Sequence, residues 1–267
     1  MIAGKGSVTQ PIGQRHAVSY WSLHDNKLLR KFRGHGDAVT GLSMCPADDT
    51  FLSSSKDRTV RLWNLQQAGC IAQLKLPVET ENDPLAVFDS TGLVFLCTAN
   101  MAQGKGHYVH LYDARNYGSG AFAEFKVSCE DLEKAIHAHN GGIDMHRANQ
   151  LSRGDWKTAT FNKSGSQILI GAENGMSIIL DGFEGTVQSV ILEASKRSDR
   201  PAVSCFSSDD KTIITGNDDG TLSCLDLASG TVVRTLQGHL GRVNAVSCNP
   251  EYAQMASCCT QTAIWLW

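Results

Sequence analysis

Short apolar runs alternate with turn sequences along the whole chain, and the turns are rich in Asp, Asn, Gly and Ser. Three stretches show this most clearly, each with two apolar runs around a polar tip: TFLSSSKDRTVRLWNL, QILIGAENGMSIILDG and TIITGNDDGTLSCLDL. Tight turns between antiparallel strands require residues that accept a positive φ, as Gly, Asn and Asp do. The pattern therefore predicts β-hairpins throughout and an all-β fold.

One segment has a helical period instead of a strand period. The run from Cys129 to His139 begins with acidic residues and places apolar residues on one face, which is typical of a short amphipathic helix. Its apolar residues are Leu132, Ala135 and Ile136. The run belongs to a polar stretch, residues 127–156, that separates two β-rich parts of the chain, and we expect a solvent-exposed loop insertion there.

The hairpins recur in a fixed arrangement, which indicates internal repeats. Alignment on the turn tips makes Asp57, Asn174 and Asp219 equivalent, and a large residue follows each tip along the next strand. These large residues are Trp63, Leu180 and Leu225, with Tyr112 in the same place in a unit that has a longer turn. Near the end of the chain Trp267 takes this place, because it follows a Gly-His pair at the same distance as Trp63 does.

The order Gly-His, apolar strand, Pro turn, Ser-rich strand, Asp turn and Trp strand resembles the WD40 repeat. This family forms β-propellers with four-stranded blades. The resemblance implies a hydrogen-bonded structural tetrad formed by His35, Ser53, Asp57 and Trp63. It also implies a degenerate tetrad in the last unit, made of His239, Ser257, Gln261 and Trp267.

Longer segments resemble one WD40 family more narrowly, in order along nearly the whole chain. They include SLHDNKLLRKFRGHGDAVTGLSMCPADDTFLSSSKDRTVRLW, VHLYDARNYGSGAFAEFKV and CNPEYAQMASCCTQTAIWL. They are similar to the Swd2-type WD-repeat subunit of the COMPASS histone methyltransferase complex. The resemblance implies a seven-bladed propeller in the family, of which about five to five and a half blades are countable in this sequence. We expect residues 1–267 to form a single WD-repeat propeller that is incomplete at the N-terminus.

The same resemblance implies a non-catalytic scaffold in the nucleus, without a cofactor or a small-molecule substrate. Its partners would be a SET-domain methyltransferase and other complex subunits, with chromatin contacted indirectly. One alternative is a subunit of a nuclear protein phosphatase and mRNA 3′-end-processing complex that acts in transcription termination, with a phosphatase-targeting partner. Another is a substrate receptor of a cullin-RING ubiquitin ligase, because YDAR at residues 112–115 is similar to the W-D-x-R docking signature.

Composition and charge exclude some classes of function. A formal net charge of −3 gives no global basic field for nucleic acid, so any such contact must be local. The apolar runs are too short to cross a membrane, and we expect no membrane association. Nine cysteines without a C-x-x-C pair, mostly in apolar runs, favour free thiols in a reducing compartment. The candidate partner contacts are Lys27, Arg30, Lys31, Arg33 and Arg115.

Candidate catalytic groups are few. His24 and Asp25 are adjacent and fall in the turn before an outer strand, so they do not face one substrate together. A metal-dependent enzyme would require the histidines of the insertion, which are His137, His139 and His146. No fourth ligand or general base has a recognisable spacing from them. The sequence therefore predicts no catalytic, cofactor-binding or metal-binding residue.

Overall fold

The computed structural model describes residues 2–3, 16–76, 83–139, 143–192 and 201–266. The chain divides into two compact units, Met1–Lys126 and Val127–Trp267. No helix in the described ranges is long and apolar enough to span a lipid bilayer.

The first unit contains three antiparallel sheets within the described residues. The first sheet consists of β1 (Ile2–Ala3), β2 (Val18–Ser22) and β3 (Lys27–Phe32). The second consists of β4 (Val39–Met44), β5 (Thr50–Ser55), β6 (Thr59–Asn64) and β7 (Cys70–Lys75). The third consists of β8 (Leu85–Phe88), β9 (Val94–Asn100), β10 (Gly106–Asp113) and β11 (Ala123–Ser128), with short 3₁₀ turns at Ala102–Gly104 and Tyr117–Ser119.

The second unit begins with helices α1 (Cys129–His139) and α2 (Met145–Ser152) and continues as three further sheets in its described part. The fourth sheet consists of β12 (Trp156–Phe161), β13 (Gln167–Ala172), β14 (Met176–Asp181) and β15 (Val187–Leu192). The fifth consists of β16 (Ser204–Phe206), β17 (Thr212–Gly216), β18 (Thr221–Asp226) and β19 (Val232–Gln237). The sixth consists of β20 (Ala245–Cys248), β21 (Gln254–Cys258) and β22 (Thr262–Leu266).

All six sheets are meanders, in which strands that follow one another along the chain are also hydrogen-bonded neighbours. Small antiparallel meanders of three or four strands are the blades of a WD40 propeller. The predicted all-β, WD40-type fold class is therefore confirmed. The extent of a single propeller over residues 1–267 stays a prediction.

Buried apolar clusters join neighbouring sheets, and the second and third strands of each sheet supply many of their side chains. The predicted large residue of the third strand lies opposite another large residue of the second strand. The opposed pairs are Trp63 with Phe51, Tyr112 with Phe95, Leu180 with Ile168 and Leu225 with Ile213. The rings of Phe95 and Tyr112 are stacked, with centroids 5.1 Å apart. Apolar packing at this position explains how blades without the polar tetrad still form.

The tips of the hairpins adopt the backbone that the turn residues predict. Gly175 and Gly220 follow Asn174 and Asp219 and have φ values of 80° and 88°. Arg58 occupies the same place after Asp57 and has a φ of 60°, which an L-residue adopts less readily than glycine. The three tips therefore share a left-handed residue directly after the aligned Asp or Asn.

A β-bulge recurs where the last two strands of a sheet pair. It falls at Tyr20/Trp21, Leu62/Trp63, Ile179/Leu180 and Cys224/Leu225. In each case the outer strand carries one residue that opposes no partner, and each of these residues is exposed. They are Leu29, Ile71, Gln188 and Val233. The bulge marks the same repeat position as the aligned large residues, and it makes Trp21 the counterpart of Trp63.

The described part of residues 127–156 is not the solvent-exposed loop that its polarity predicts, because it holds two packed helices. Helix α1 has the predicted bounds and packs against α2 and β15. Leu132 and Ile136 are fully buried, and Ala148 of α2 is buried as well. Burial of these apolar side chains outweighs the polar composition of the segment.

Side-chain caps begin both helices. The hydroxyl of Ser128 accepts a hydrogen bond from the Asp131 N–H and donates one to the Asp131 carboxylate. The carboxylate of Asp144 accepts a hydrogen bond from the Arg147 N–H at 2.7 Å. Both arrangements satisfy backbone donors of the first helical turn that have no partner within the helix. The S-x-x-D spelling at residues 128–131 is the local signal for the first helix.

Candidate protein-interaction site

The four predicted tetrad residues of the second blade lie in one hydrogen-bonded chain. The Trp63 Nε1–H donates to Ser53 Oγ at 2.8 Å. Ser53 Oγ lies 2.6 Å from Nε2 of His35, and Nδ1 of His35 lies 2.9 Å from Oδ2 of Asp57. The chain links the loop before β4 to the second strand, the hairpin tip and the third strand.

The contacts define the proton positions on His35. A carboxylate only accepts hydrogen bonds, so Nδ1 carries the proton that is donated to Asp57. The Ser53 hydroxyl accepts from Trp63 and donates its own proton to Nε2. Burial lowers the pKa of His35 below its ordinary value of 6.5, and the hydrogen bond and charge of Asp57 offset only part of this effect. The ring is therefore neutral near pH 7 and has 1% of its surface exposed.

Asp57 joins the hairpin tip to the neighbouring loop. Its Oδ2 accepts from the Gly36 N–H at 2.8 Å, while its Oδ1 accepts from the N–H and the hydroxyl of Thr59. Burial raises the pKa of Asp57, but the hydrogen bonds from Thr59, Gly36 and His35 outweigh it and leave the pKa below its usual value. The hydrogen-bonding groups of the tetrad are therefore used inside the blade, where they hold the loop before β4 against the hairpin tip.

The last blade contains a shorter version of this chain, and its indole is that of Trp265. Nε2 of His239 lies 2.6 Å from Ser257 Oγ, and the indole that donates to Ser257 at 2.7 Å belongs to Trp265. Trp265 lies opposite Met255, as Trp63 lies opposite Phe51. The predicted Trp267 lies outside the described residues.

The position of this indole follows from the length of the hairpin in the last blade. The closing pair of the second blade, Ser54 and Val60, encloses two more residues than the closing pair Cys258 and Thr262. A constant distance from the Gly-His pair therefore leads to a residue two positions beyond Trp265, the residue that carries the indole. Gln261 lies exposed in the shortened turn, where its backbone N–H lies 3.4 Å from Cys259 Sγ.

The fifth blade replaces the histidine network with an amide that the sequence analysis missed. Nδ2 of Asn217 donates to the hydroxyls of Thr221 and Ser223, each at 2.8 Å. Asp219 accepts from the N–H and the hydroxyl of Thr221, as Asp57 does from Thr59. The two hairpin tips share the sequence motif Asp-x-Thr, which could have identified their similarity from the sequence. The hydroxyl of Thr215 is buried without a hydrogen-bond partner.

The basic cluster consists of residues of β3, which is the outer strand of the first sheet, and of Arg33 directly after it. The side chains of Lys27, Lys31 and Arg33 are exposed, and Leu28 and Leu29 between them are 40% and 53% exposed. We call these five residues the basic edge. Its mixture of cationic and apolar side chains matches a partner segment of acidic and apolar residues.

The two other candidate contacts are engaged within the chain. The guanidinium of Arg30 donates to the carbonyl oxygen of Leu65 at 2.8 Å and so ties the first sheet to the second. Arg115 is exposed, and its guanidinium lies 3.3 and 3.4 Å from the two carboxylate oxygens of Asp113. Tyr112, the first residue of the YDAR segment, packs on Phe95, and burial raises its pKa to about 12. Its ring is therefore part of the blade core.

The histidines considered as catalytic or metal-binding candidates lie in one turn and on the two helices, with His137 and His139 both on α1. His24 and Asp25 lie in the turn between β2 and β3, where Asp25 is hydrogen-bonded to Ser22. His139 donates from Nδ1 to the carbonyl oxygen of Ala135 within α1, and His146 is exposed on α2. Throughout the described part of the chain, no group of three His, Cys, Asp or Glu side chains is placed to hold a metal ion.

Comparison with protein families finds the same repeats. The family described as WD domain, G-beta repeat matches residues 26–64, 194–226 and 230–267. The first of these ranges contains the complete tetrad. The third and fourth blades, which depart most from the repeat, fall outside the matched ranges.

Comparison with individual proteins extends the similarity over most of the chain. WD repeat-containing protein 82 of Drosophila melanogaster is 34% identical over 250 residues, which are 93% of this chain and 69% of that protein. Protein ANTHESIS POMOTING FACTOR 1 of Arabidopsis thaliana is 29% identical over 94% of this chain and 66% of its own length. COMPASS component SWD2 of Saccharomyces cerevisiae is 26% identical over 90% of this chain and 68% of its own length. The chain belongs to the WD-repeat family of WD repeat-containing protein 82, and its resemblance to the Swd2-type subunit is confirmed.

Proposed function

We propose that this chain is a non-catalytic scaffold subunit of a nuclear complex of the COMPASS type, in which another chain methylates lysines of the histone H3 tail. The observation that carries the proposal is the similarity to COMPASS component SWD2, which extends over most of the chain instead of over single repeats. The proposal includes a link between that complex and transcription.

The geometry of the blades supports a scaffold. The best-formed polar site, the tetrad around His35, uses its hydrogen-bonding groups to fix a loop against a hairpin tip. Rigid elements that hold exposed loops and strands in place suit the binding of several proteins. Its chemistry is that of surface complementarity, and bond-making belongs to a partner.

We assign the first partner contact to the basic edge. Lys27, Lys31 and Arg33 concentrate positive charge on one outer strand of a protein whose net charge is −3. The exposed Leu28 and Leu29 add apolar surface to the same strand. An acidic and apolar segment of a SET-domain methyltransferase or another complex subunit fits this combination.

Affinity purification from nuclear extract with mass spectrometry tests the function. The wild-type chain is expected to recover a SET-domain methyltransferase together with other subunits of its complex. Exclusive recovery of a cullin adaptor would replace the proposal with a ubiquitin-ligase receptor. Exclusive recovery of phosphatase and mRNA 3′-end-processing subunits would replace it with a role in transcription termination.

A charge-reversed variant tests the surface separately from the function. The triple change Lys27→Glu, Lys31→Glu and Arg33→Glu is expected to lower recovery of the complex by about ten-fold or more, because it repels an acidic segment. The matched control reverses three exposed lysines on other elements and alters the net charge equally: Lys75, Lys105 and Lys211. Equal recovery of the complex by both variants would show that the basic edge is not the contact surface. The proposed scaffold function would be unaffected by that result.

A further inference from the structure

Two thiols from different blades of the second unit lie in contact. Sγ of Cys205 on β16 is 3.3 Å from Sγ of Cys248 on β20, although the residues are 43 positions apart in the chain. Strands β16 and β20 are the first strands of the fifth and sixth sheets and lie side by side. The contact is therefore between two regular elements and not between flexible loops.

The surroundings hold both side chains in place while leaving them partly accessible. Cys205 and Cys248 pack against a buried cluster that contains Ile214, Val243 and Met255. Both thiols are half-buried, whereas Cys97 of the third blade is fully buried. A small oxidant therefore reaches the pair more readily than it reaches Cys97.

The contact also makes the two sulfurs chemically different. Either S–H can donate to the other sulfur, and the hydrogen bond between them lowers the pKa of Cys248. The same hydrogen bond, together with burial, raises the pKa of Cys205. Thiolates are the nucleophilic form of cysteine, so these pKa directions favour Cys248 as the attacking sulfur and Cys205 as the resolving one.

We propose that Cys205 and Cys248 form a reversible disulfide when the protein meets a peroxide, and that this bond links the fifth and sixth blades. The sulfurs need to approach by roughly 1.3 Å to reach the length of about 2.05 Å of a disulfide. Small side-chain rotations on adjacent strands supply a movement of this size.

The reaction balances in two steps. The Cys248 thiolate attacks one peroxide oxygen, the O–O bond breaks, and the sulfur becomes a sulfenic acid while hydroxide, or an alkoxide from an organic peroxide, leaves. The Cys205 sulfur then attacks the sulfenic sulfur, its proton passes to the departing oxygen, and water leaves as the S–S bond forms. The two sulfurs together lose two electrons, and the peroxide gains them. A dithiol reductant reverses the bond by thiol–disulfide exchange.

Peptide mapping of the folded, full-length chain tests the proposal. The reduced protein is treated with graded amounts of hydrogen peroxide, free thiols are alkylated, and the chain is digested without reductant. The expected result is a cross-linked peptide pair containing Cys205 and Cys248, in about ten-fold excess over any other cysteine pair, that dithiothreitol separates. Cys259 is an internal reference, because a hydrogen bond from the Gln261 N–H lowers its pKa as well. Oxidation of Cys259 while Cys205 and Cys248 both remain alkylated would overturn the proposal.

Single variants test the order of attack. In Cys205→Ser, Cys248 is expected to stop at the sulfenic acid, which dimedone traps. In Cys248→Ser, Cys205 is expected to stay reduced at peroxide concentrations that cross-link the wild type. The control Cys97→Ser is expected to cross-link normally. The wild-type map still decides the proposal if a variant does not fold, and a cross-link that forms only in the urea-unfolded chain counts against it.

Discussion

Ser53 connects the two rings of the tetrad through a single hydroxyl. It accepts from the indole of Trp63 and donates to the imidazole of His35, and it is fully buried. Its neighbour Ser54 is equally buried, but the Ser54 hydroxyl has no hydrogen-bond partner. Two adjacent serines of one strand are therefore equally buried but differ in hydrogen bonding, which makes them a matched pair for substitution.

Substitution of Ser53 by Ala is expected to lower the free energy of unfolding by about 1–3 kcal/mol, because two buried ring nitrogens lose their partner. Ser54→Ala removes a hydroxyl that is already unpaired and is expected to leave stability unchanged or slightly higher. Urea unfolding followed by circular dichroism measures both. Equal losses in the two variants would show that the Ser53 hydrogen bonds contribute nothing specific.

The lowered pKa of His35 makes stability depend on pH. The unfolded chain binds a proton at this histidine more readily than the folded chain does, so stability is fully present above the ordinary pKa of 6.5 and is lost as pH falls through the folded-state value. We expect urea midpoints to fall from pH 7.5 towards pH 5, and to fall less in His35→Gln. Identical pH profiles of the two proteins would assign the acid sensitivity to other groups.

The residues of the first tetrad are predictable from the sequence because their types and spacing match a repeat. Trp265 is not, because a fixed count cannot detect that one hairpin is two residues shorter. Asn217 is not predictable for a different reason. Its side-chain amide, and not an imidazole, bonds the hydroxyls of the hairpin, and it lies at a different position in the repeat from His35. The spacing of residues therefore predicts a hydrogen-bond network that uses the residue types of the repeat. It does not predict a network in which other residue types replace them.

At the scale of elements, the insertion depends on contacts between its two helices and the fourth blade. Oε1 of Glu133 on α1 accepts from Nδ2 of Asn149 at 2.8 Å and from the Ser152 hydroxyl at 3.2 Å. Nδ2 of Asn174, at the hairpin tip of the fourth blade, donates to the carbonyl oxygen of Leu151 at 2.7 Å. The insertion is thus part of the folded unit.

The substitution Ile136→Ala is expected to cost about 2–5 kcal/mol of unfolding free energy, because it leaves a cavity between α1 and its neighbours. Lys134→Ala, on the exposed side of the same helix, is expected to change stability by less than about 0.5 kcal/mol. Denaturant unfolding compares the two. A neutral Ile136→Ala would mean that the helix is not packed in solution.

Helix α1 was predictable and α2 was not, for a physical reason. The apolar residues of α1 recur with a helical period, whereas MHRANQLS has few apolar residues and forms a helix through its Asp144 cap and its packing on α1. Tertiary contacts supply what local propensity lacks. Strands were predictable wherever a turn residue with positive φ separated two apolar runs.

At the scale of the whole molecule, the basic edge opposes the sign of the net charge. An acidic partner is repelled by the protein as a whole and attracted locally, and salt screens both effects within about 10 Å at 0.1 M. We expect association of the purified partner to slow as salt rises from about 0.05 to 0.5 M. The neutral variant Lys27→Gln, Lys31→Gln, Arg33→Gln is expected to lose most of this dependence.

Surface plasmon resonance at several salt concentrations measures that association rate. Neutralisation of Lys75, Lys105 and Lys211 is the control and is expected to keep the salt dependence of the wild type. The same slope in all three proteins would place the partner on a different surface.

The recurring bulge gives four outer strands one position whose side chain lies outside the blade core, although Gln188 at this position is hydrogen-bonded to Gln167 and Asp181. Its residue opposes no partner and faces solvent, so the blade core does not select its side chain, and the four occupants are Leu29, Ile71, Gln188 and Val233. Such positions are free to diverge one blade at a time. Evolution can therefore alter partner preference there without disturbing the fold, and a spectroscopic label placed there would report on each blade at a matched location.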